Sequence, residues 1–183
     1  MHSPPSPSWM LRFGTRLVLV VTIVATFGCD RVTKHVASTT LAGAPVRSFL
    51  ADTVRFGYVE NAGGFLGLGA NLPEKIRTAV FTVGTGVLLL VLVGSAFRLR
   101  WTGWPAFALT LLVAGGVSNL FDRAVHGSVI DFINVGVGPV RTGIFNVADM
   151  AIMLGIGILL AGEFRRGARE AEPETPESLI PDP

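Results

Sequence analysis

Two long stretches without a charged side chain constrain this sequence more than any other feature. Residues 78–97 and residues 101–121 contain no Asp, Glu, Lys or Arg over 20 and 21 positions. A helix needs about 20 apolar residues to cross a bilayer, because each residue adds about 1.5 Å. The short basic segment 98–100 separates the two stretches. We therefore predict two membrane helices joined by a tight turn.

Two further apolar stretches raise the predicted number of membrane helices to four. Residues 17–29 are uncharged and reach spanning length once the preceding residues are added, with Arg12 and Arg16 directed toward headgroups. Residues 142–162 are uncharged except for Asp149. Charged residues make up 15% of the chain, against about 25% in soluble domains, which excludes most soluble enzymes.

The same patterns predict one membrane domain between two tails. Both termini are expected in the cytoplasm, because arginines are densest in the short segments on that side. Both polar segments then lie outside, and the first carries strand-like runs such as 53–59 and one surface helix. The predicted units are a flexible N-terminus (1–10), a membrane domain (11–162) with spans at about 12–29, 77–97, 101–121 and 143–162, outer segments 30–75 and 122–141, and a disordered tail (163–183).

Four aspartates lie at the outer ends of these predicted spans. Asp30 ends the first span, and Asp122 ends the third. Asp131 follows in a short apolar run, and Asp149 lies about seven residues, or roughly 10 Å, inside the fourth. An ionisable side chain at that depth is costly unless it is paired or reaches water, which indicates a functional site. The alternative is that these carboxylates only cap helices or tie them together.

Amide and basic side chains accompany the aspartates. Asn119 and Asp122 are three residues apart and share one helix face, and Arg123 follows as a counter-ion. Asn146 and Asp149 have the same spacing in the fourth span. A nearby carboxylate pair provides one ionised and one protonated group, as acid–base hydrolysis needs. The three histidines show no metal-binding or nucleophile-activating spacing, and the net charge of +2 does not indicate nucleic-acid binding.

Five motifs in order resemble the lipoprotein signal peptidases, or signal peptidase II family, which are four-span aspartic endopeptidases of the bacterial inner membrane. The resemblance covers roughly residues 17–162. Each motif alone is weak, and their order at matching helix ends makes the resemblance specific. They are D-R-V-T-K (30–34), N-A-G-G-F-L-G (61–67), G-G-V-S-N-L-F-D-R (115–123), V-I-D-F (129–132) and F-N-V-A-D (145–149).

The resemblance implies a role for each matching residue. Asp131 and Asp149 would form the catalytic dyad, activating a water that cuts before the lipid-modified cysteine of a diacylglyceryl prolipoprotein. Segment 30–75 would be a periplasmic β-rich cradle with a gating helix, and the active site would face the periplasm. No cofactor or metal is implied, the partners are lipoprotein precursors and membrane lipids, and we expect a monomer. Pocket support or substrate contact would come from Asp30, Lys34, Asn61, Asn119, Asp122, Arg123 and Asn146.

Three departures from the family pattern affect the surroundings of these residues. Arg31 stands where the family usually has Gln, and Ser118 stands where it usually has Gly. In the second motif, Gly64, Phe65 and Leu66 replace an order in which the aromatic residue directly precedes the last glycine. None removes a predicted catalytic carboxylate. They leave the lid chemistry and the substrate preference open.

Two other readings of the sequence make different predictions. Cys29 follows a basic and then apolar stretch, as the lipidated cysteine of a lipoprotein signal sequence does. However, Thr26 occupies the position usually held by leucine, and three more spans follow. The chain is alternatively a non-enzymatic four-helix transporter or assembly protein whose carboxylates bind a cation or bridge helices.

Overall fold

The computed structural model describes residues 8–64, 68–69, 71–99 and 101–170. Helices dominate this part of the chain, and a small antiparallel sheet lies at one end of them. A π-helical segment, Ala79–Gly84, joins the second helix to the third. The helices are α1 (Ser8–Thr40), α2 (Glu74–Thr78), α3 (Thr85–Leu99), α4 (Gly103–His126) and α5 (Val147–Glu170); the strands are β1 (Arg47–Phe49), β2 (Val54–Asn61), β3 (Val129–Val137) and β4 (Val140–Arg141).

Helix α1 continues to Thr40, well past the predicted end of the first span at residue 29. Residues 30–42 contain neither glycine nor proline, so nothing in this stretch breaks the helix. The helix ends before Gly43, whose φ of 72° is left-handed. This extension places Asp30 and Lys34 one turn apart on the same face, above the apolar part of the helix.

Within the described residues, three helical stretches are long and apolar enough to cross a membrane. They are Glu74–Arg98, Gly103–His126 and Val147–Ala168. Each corresponds to one of the last three predicted spans. The first contains the π-helical segment, where the helix locally widens. Helix α1 is not among the three stretches, and its role as a fourth span remains a prediction.

Helices α4 and α5 pack backbone against backbone. A Cβ atom on Gly115 would collide with the carbonyl oxygen of Ala148, and one on Gly155 would lie 2.5 Å from the carbonyl oxygen of Ala108. Glycine is required at both contacts because any side chain would push the helices apart. The close packing at Gly115 places the C-terminal part of α4 directly beside the first turn of α5.

The start and end of α5 differ from the predicted span at 143–162. The chain before Val147 is extended, and Phe145 pairs with Ile133 of β3. Asp149 therefore lies in the first helical turn, and its predicted depth of roughly 10 Å inside the span was wrong. At the other end the helix runs on to Glu170, so residues 163–170 are helical where a disordered tail was predicted.

Both predicted tails lie partly outside the described residues. Residues 1–7 and 171–183 belong to the parts of the chain that the structure does not describe. Helix α1 already begins at Ser8, inside the range predicted as a flexible N-terminus. In the second motif, residues 65–67 are likewise outside the description, and with them the prediction for Phe65, Leu66 and Gly67. The described residues between Leu41 and Pro73 form strands, turns and loops.

The sheet is antiparallel and has the strand order β1-β2-β3-β4. The prediction assigned the β-rich element to residues 30–75 alone, but β3 and β4 come from the second outer segment. In the register of β2 with β3, Val59 lies opposite Asp131 and Asn61 opposite Val129. Phe132 packs on Ala37 of α1 on one side of the sheet. The sheet therefore carries Asn61 and Asp131 to the end of the helices at which α4 finishes and α5 begins.

Candidate active site

Helix α5 starts with a reciprocal pair of hydrogen bonds between Asn146 and Asp149. The backbone N–H of Asn146 donates to Oδ2 of Asp149 at 3.2 Å, and the backbone N–H of Asp149 donates to Oδ1 of Asn146 at 3.0 Å. This arrangement is a capping box, which satisfies N–H groups that have no partner within the helix. Asn146 was predicted to share a helix face with Asp149, but it precedes the helix and caps it.

Asp131 enters the same region from strand β3. Its side chain is buried, and both of its oxygens accept hydrogen bonds from amides. Nδ2 of Asn146 donates to Oδ1 at 2.6 Å, and Nδ2 of Asn61 donates to Oδ2 at 2.8 Å. Asn146 therefore contacts both aspartates: its side-chain amide donates to Asp131, and the reciprocal capping bonds join it to Asp149. It holds Asp131 and Asp149 in one cluster.

The charge state of Asp131 is set by its surroundings. Burial raises the pKa of this carboxyl to about 6, and the neighbouring charge of Asp149 adds to the rise. The hydrogen bonds from Asn61 and Asn146 act in the opposite direction, because they favour the ionised form. The result is a carboxyl whose proton is exchangeable close to neutral pH, as general acid–base chemistry requires.

Asn119 of α4 connects Asp149 to a buried lysine. Its Nδ2 donates to Oδ1 of Asp149 at 2.8 Å, and its Oδ1 accepts from Nζ of Lys34 at 2.8 Å. Because an ammonium group can only donate, Lys34 fixes which end of the Asn119 amide points toward Asp149. Lys34 therefore orients a hydrogen-bond donor to the aspartate without touching the carboxylate itself.

Lys34 is also the centre of a buried ion-pair group joining α1 to α4. Its Nζ lies 2.7 Å from Oδ2 of Asp30 and 2.7 Å from Oδ2 of Asp122. Oδ1 of Asp30 accepts from the backbone N–H of Ala148 at 2.9 Å, which ties α1 to the start of α5. Buried charges are tolerable only with such partners. This group holds the three helices together beside the aspartates.

Arg31, which the sequence analysis gave only as a departure from the motif pattern, belongs to the same ion-pair group. Arg31 lies 2.5 Å from Asp122 and 3.3 Å from Asp30. Its guanidinium also lies over the rings of Phe27 and Phe121, at 5.7 and 5.3 Å from their centroids. In the sequence, the position of Arg31 directly after Asp30 is the one sign that it contacts a site carboxylate. Its pairing with Asp122 depends on how α1 and α4 pack.

Ser118 and Arg123 complete the contacts around these residues. Oγ of Ser118 donates to Oδ2 of Asp30 at 2.6 Å. Arg123 reaches across to the loop after β2, where Nη2 donates to the carbonyl oxygen of Gly63 at 2.8 Å. The same loop is turned by Asn61, whose Oδ1 accepts from the backbone N–H of Gly63. The role of the Gly63 carbonyl had no sequence signal.

The structure brings all nine predicted site residues into one buried or half-buried cluster. Asp131 and Asp149 are 2% and 6% exposed, and both accept hydrogen bonds from amides and backbone. With Arg31 added, the charged side chains of the cluster are four carboxylates and three cations, so the cluster is neutral when one carboxyl holds a proton. Asp30 and Asp122 are paired with cations, which leaves that proton to the other two. The carboxylates are Asp30, Asp122, Asp131 and Asp149, and the cations are Arg31, Lys34 and Arg123.

The donor set does not resemble a metal centre. Among the described residues, no group of three or more His, Cys, Asp or Glu side chains is placed to hold a metal ion. Cys29 is a free, exposed thiol on α1. What the arrangement can do chemically is to present two carboxyl groups, positioned by a shared asparagine, of which one can be protonated while the other is ionised.

Comparison with known proteins gives a consistent family match. The family model described as signal peptidase (SPase) II matches residues 22–165. The lipoprotein signal peptidase of Caldicellulosiruptor bescii is 33% identical over 154 residues, covering 84% of this chain and 95% of that protein. That of Syntrophotalea carbinolica is 31% identical, covering 84% and 93%. A solved bacterial membrane enzyme shares the fold with a TM-score of 0.73 at 24% identity, covering 86% of this chain and 94% of the other.

Proposed function

The chain belongs to the signal peptidase (SPase) II family, and on that premise we propose that it removes signal peptides from prolipoproteins. We propose further that it is an aspartic endopeptidase of the membrane. Its substrate is a precursor with a diacylglyceryl-modified cysteine, and it cuts the peptide bond directly before that cysteine. Asp131 and Asp149 are the catalytic residues.

One observation carries this proposal: a single asparagine positions two carboxyl groups that form no direct ion pair with any of the described residues. Asn146 donates to Asp131 and caps the helix turn that holds Asp149. Carboxylates that only tie helices together resemble Asp30 and Asp122, which both pair with Lys34. The contrast favours catalysis over the alternative of a non-enzymatic transporter or assembly protein.

The proposed reaction uses one ionised and one protonated carboxyl. Asp149 is the ionised member, because it lies in the first turn of α5, where the helix dipole favours a negative charge. It takes a proton from water, and the water oxygen attacks the carbonyl carbon of the scissile bond. Asp131, with its raised pKa, donates its proton to the developing oxyanion. The gem-diol intermediate then returns a hydroxyl proton to Asp131 as the C–N bond breaks. Asp149 gives its proton to the leaving amine, which restores the starting state of both carboxyl groups.

The remaining residues of the cluster hold the two carboxyl groups in place. Asn61 and Asn119 each donate to one aspartate. Lys34 orients Asn119 and compensates the charges of Asp30 and Asp122. In this proposal they are positioning residues, and Arg123 fixes the loop after β2 beside the site through Gly63.

We place this enzyme in the bacterial inner membrane as a monomer with four spans. Helix α1 is the first span: its side chains between Leu17 and Val24 are mostly exposed apolar groups, with Leu17 at 52% and Val24 at 66%. An exposed apolar stripe of this kind is stable only against lipid or another protein surface. Both termini are cytoplasmic, so the dyad and the sheet face the periplasm. The sheet then forms the proposed cradle beside the cleavage site.

Cleavage of a defined precursor tests the activity. The purified full chain in detergent is mixed with a diacylglyceryl-modified precursor, and the products are analysed by gel shift and mass spectrometry. We expect a product that begins at the modified cysteine. The matched control is the same precursor without the lipid, which should remain uncut. A cut at another bond, or no cut of the lipidated precursor by folded enzyme, contradicts the proposal.

A further inference from the structure

A polar cavity of about 560 Å³ lies apart from the dyad. It is enclosed by one face of α1, the end of α4 and the face of the sheet that carries Glu60 and Ile130. Neither Asp131 nor Asp149 lines it. It borders the ion-pair group, because Arg31, Lys34 and Asp122 of that group are among its lining residues. The cavity is therefore a separate site that shares a wall with the candidate active site.

The chemistry of the lining favours an anion. Four lining side chains carry hydrogen-bond donors that a ligand oxygen can use. Lys34 adds positive charge, but its ammonium group already contacts Asp30, Asp122 and Asn119. The two lining acids are engaged as well, because Asp122 lies between Lys34 and Arg31, and Glu60 accepts a hydrogen bond from Tyr58 at 2.8 Å. The four donor-bearing side chains are Arg31, His35, His126 and Ser128.

The position of the cavity indicates where such an anion comes from. Asp122 lies in the last turns of α4, and exposed His35 and His126 border the cavity. The cavity therefore opens at the outer ends of the apolar helices. If these helices span a membrane, their ends lie at the level of the lipid headgroups, where each phospholipid carries a phosphate. A free anion would reach the site only from the water above it.

We propose that this cavity binds the phosphate group of a bilayer phospholipid. Arg31 is the main contact, because its guanidinium carries N–H groups beyond those bonded to Asp122 and Asp30, and these can make charge-assisted hydrogen bonds to a phosphate oxygen. Its side chain is a quarter exposed and is held in place by Asp122 and two phenylalanine rings. This assigns a role to the arginine that stands where the family usually has Gln. The inference rests on the proposed membrane placement of the helices and not on peptidase activity.

Binding of a short-chain phospholipid tests the site directly. Dihexanoylphosphatidylglycerol is titrated into the detergent-solubilised full chain, and binding is followed by the increase in melting temperature. We expect saturable binding that Arg31→Gln weakens by about tenfold or more, as expected for loss of a charge-assisted contact. Arg47→Gln is the matched control, since it removes an outer-side arginine that does not line the cavity. It should bind the lipid as the wild type does.

Further binding measurements distinguish a phospholipid from other possible occupants of the cavity. Equal binding of dihexanoylglycerol, which lacks phosphate, contradicts the proposal, and so does inorganic phosphate binding as tightly as the lipid. Unchanged lipid binding by Arg31→Gln also overturns it; if that variant does not fold, His126→Gln replaces it and should weaken binding. A precursor peptide that binds here while the lipid does not overturns it as well. Asp149→Asn should retain lipid binding, so this site is tested even if the proposed peptidase function fails.

Discussion

Replacing Asp131 with asparagine changes how the stability of the folded chain depends on pH. Asp131 is 2% exposed, and burial raises its pKa from 3.8 to about 6. At about 1.4 kcal/mol for each pH unit, keeping this group ionised in the folded state costs roughly 3 kcal/mol. A raised pKa means that the folded state binds the proton more tightly than the unfolded state. The stabilisation is therefore full below about pH 4 and is lost as the pH rises to about 6.

Asparagine has the same shape but does not titrate, so Asp131→Asn removes this loss. Its NH₂ group faces an amide donor of Asn61 or Asn146, which adds a destabilisation that does not vary with pH. The informative quantity is the difference in melting temperature between wild type and variant, measured in detergent from pH 3.5 to 8. Relative to the variant, the wild type should lose roughly 6–12 °C across this range, the equivalent of about 3 kcal/mol.

The control is Asp52, a carboxylate whose pKa is shifted in the opposite direction. The pKa of Asp52 is lowered by hydrogen bonds from Arg55 and Ser48, so its stabilisation is lost as the pH falls. The difference curve for Asp52→Asn should have the opposite slope. A flat difference curve for Asp131→Asn, or one that favours the wild type at high pH, would refute the argument that burial raises the pKa of Asp131.

Three further substitutions test other parts of the account. Asn61→Leu removes a donor from the carboxylate of Asp131 and raises its pKa, so the alkaline limb of kcat/KM for precursor cleavage should move to higher pH; an unmoved limb contradicts this role. Lys34→Met leaves buried carboxylates without their main partner and should destabilise the chain by roughly 3–5 kcal/mol in denaturation experiments, whereas a loss below about 1 kcal/mol would show that the ion pairs are dispensable. Gly115→Ala places a methyl group against the backbone of α5 and should lower the stability of the chain by about 1–3 kcal/mol. The control Gly157→Ala meets open space and should raise the stability by up to about 1 kcal/mol. Equal effects of the two changes on the melting temperature would contradict the close packing of α4 and α5.

The three candidate membrane helices were predictable because charge is excluded from them over long distances. The stretches 78–97 and 101–121 need no partner to be recognised, since length and apolarity alone suffice. Helix ends were harder to predict. Asn146 and Asp149 look like two residues on one helix face, yet the same spacing also makes a capping box. Only the pairing of Phe145 with β3 decides that the helix starts after Asn146.

The composition of the site was predictable from its motifs, but its connections were not. Each motif identified an acid or amide at a helix end, and these ends meet because the helices pack side by side. Nothing in the sequence indicated that Lys34 would contact Asp122 and Asn119, which are more than 80 residues away. The same holds for the contacts of Arg31 with Asp122 and of Ser118 with Asp30, which exist only because α1 packs against α4. Such long-range pairs are decided by tertiary packing and not by local pattern.

The most direct test of the central proposal measures precursor cleavage by Asp131→Asn and Asp149→Asn side by side with Asp52→Asn. All three changes remove one carboxylate from the outer side, but Asp52 lies in the β1–β2 turn, away from the dyad. If Asp131 and Asp149 form the catalytic pair, both variants should remain folded in detergent and lose cleavage by roughly 100-fold or more. Asp52→Asn should cut the lipidated precursor at the wild-type rate. Retained cleavage by a folded Asp131→Asn or Asp149→Asn variant would contradict the proposed mechanism.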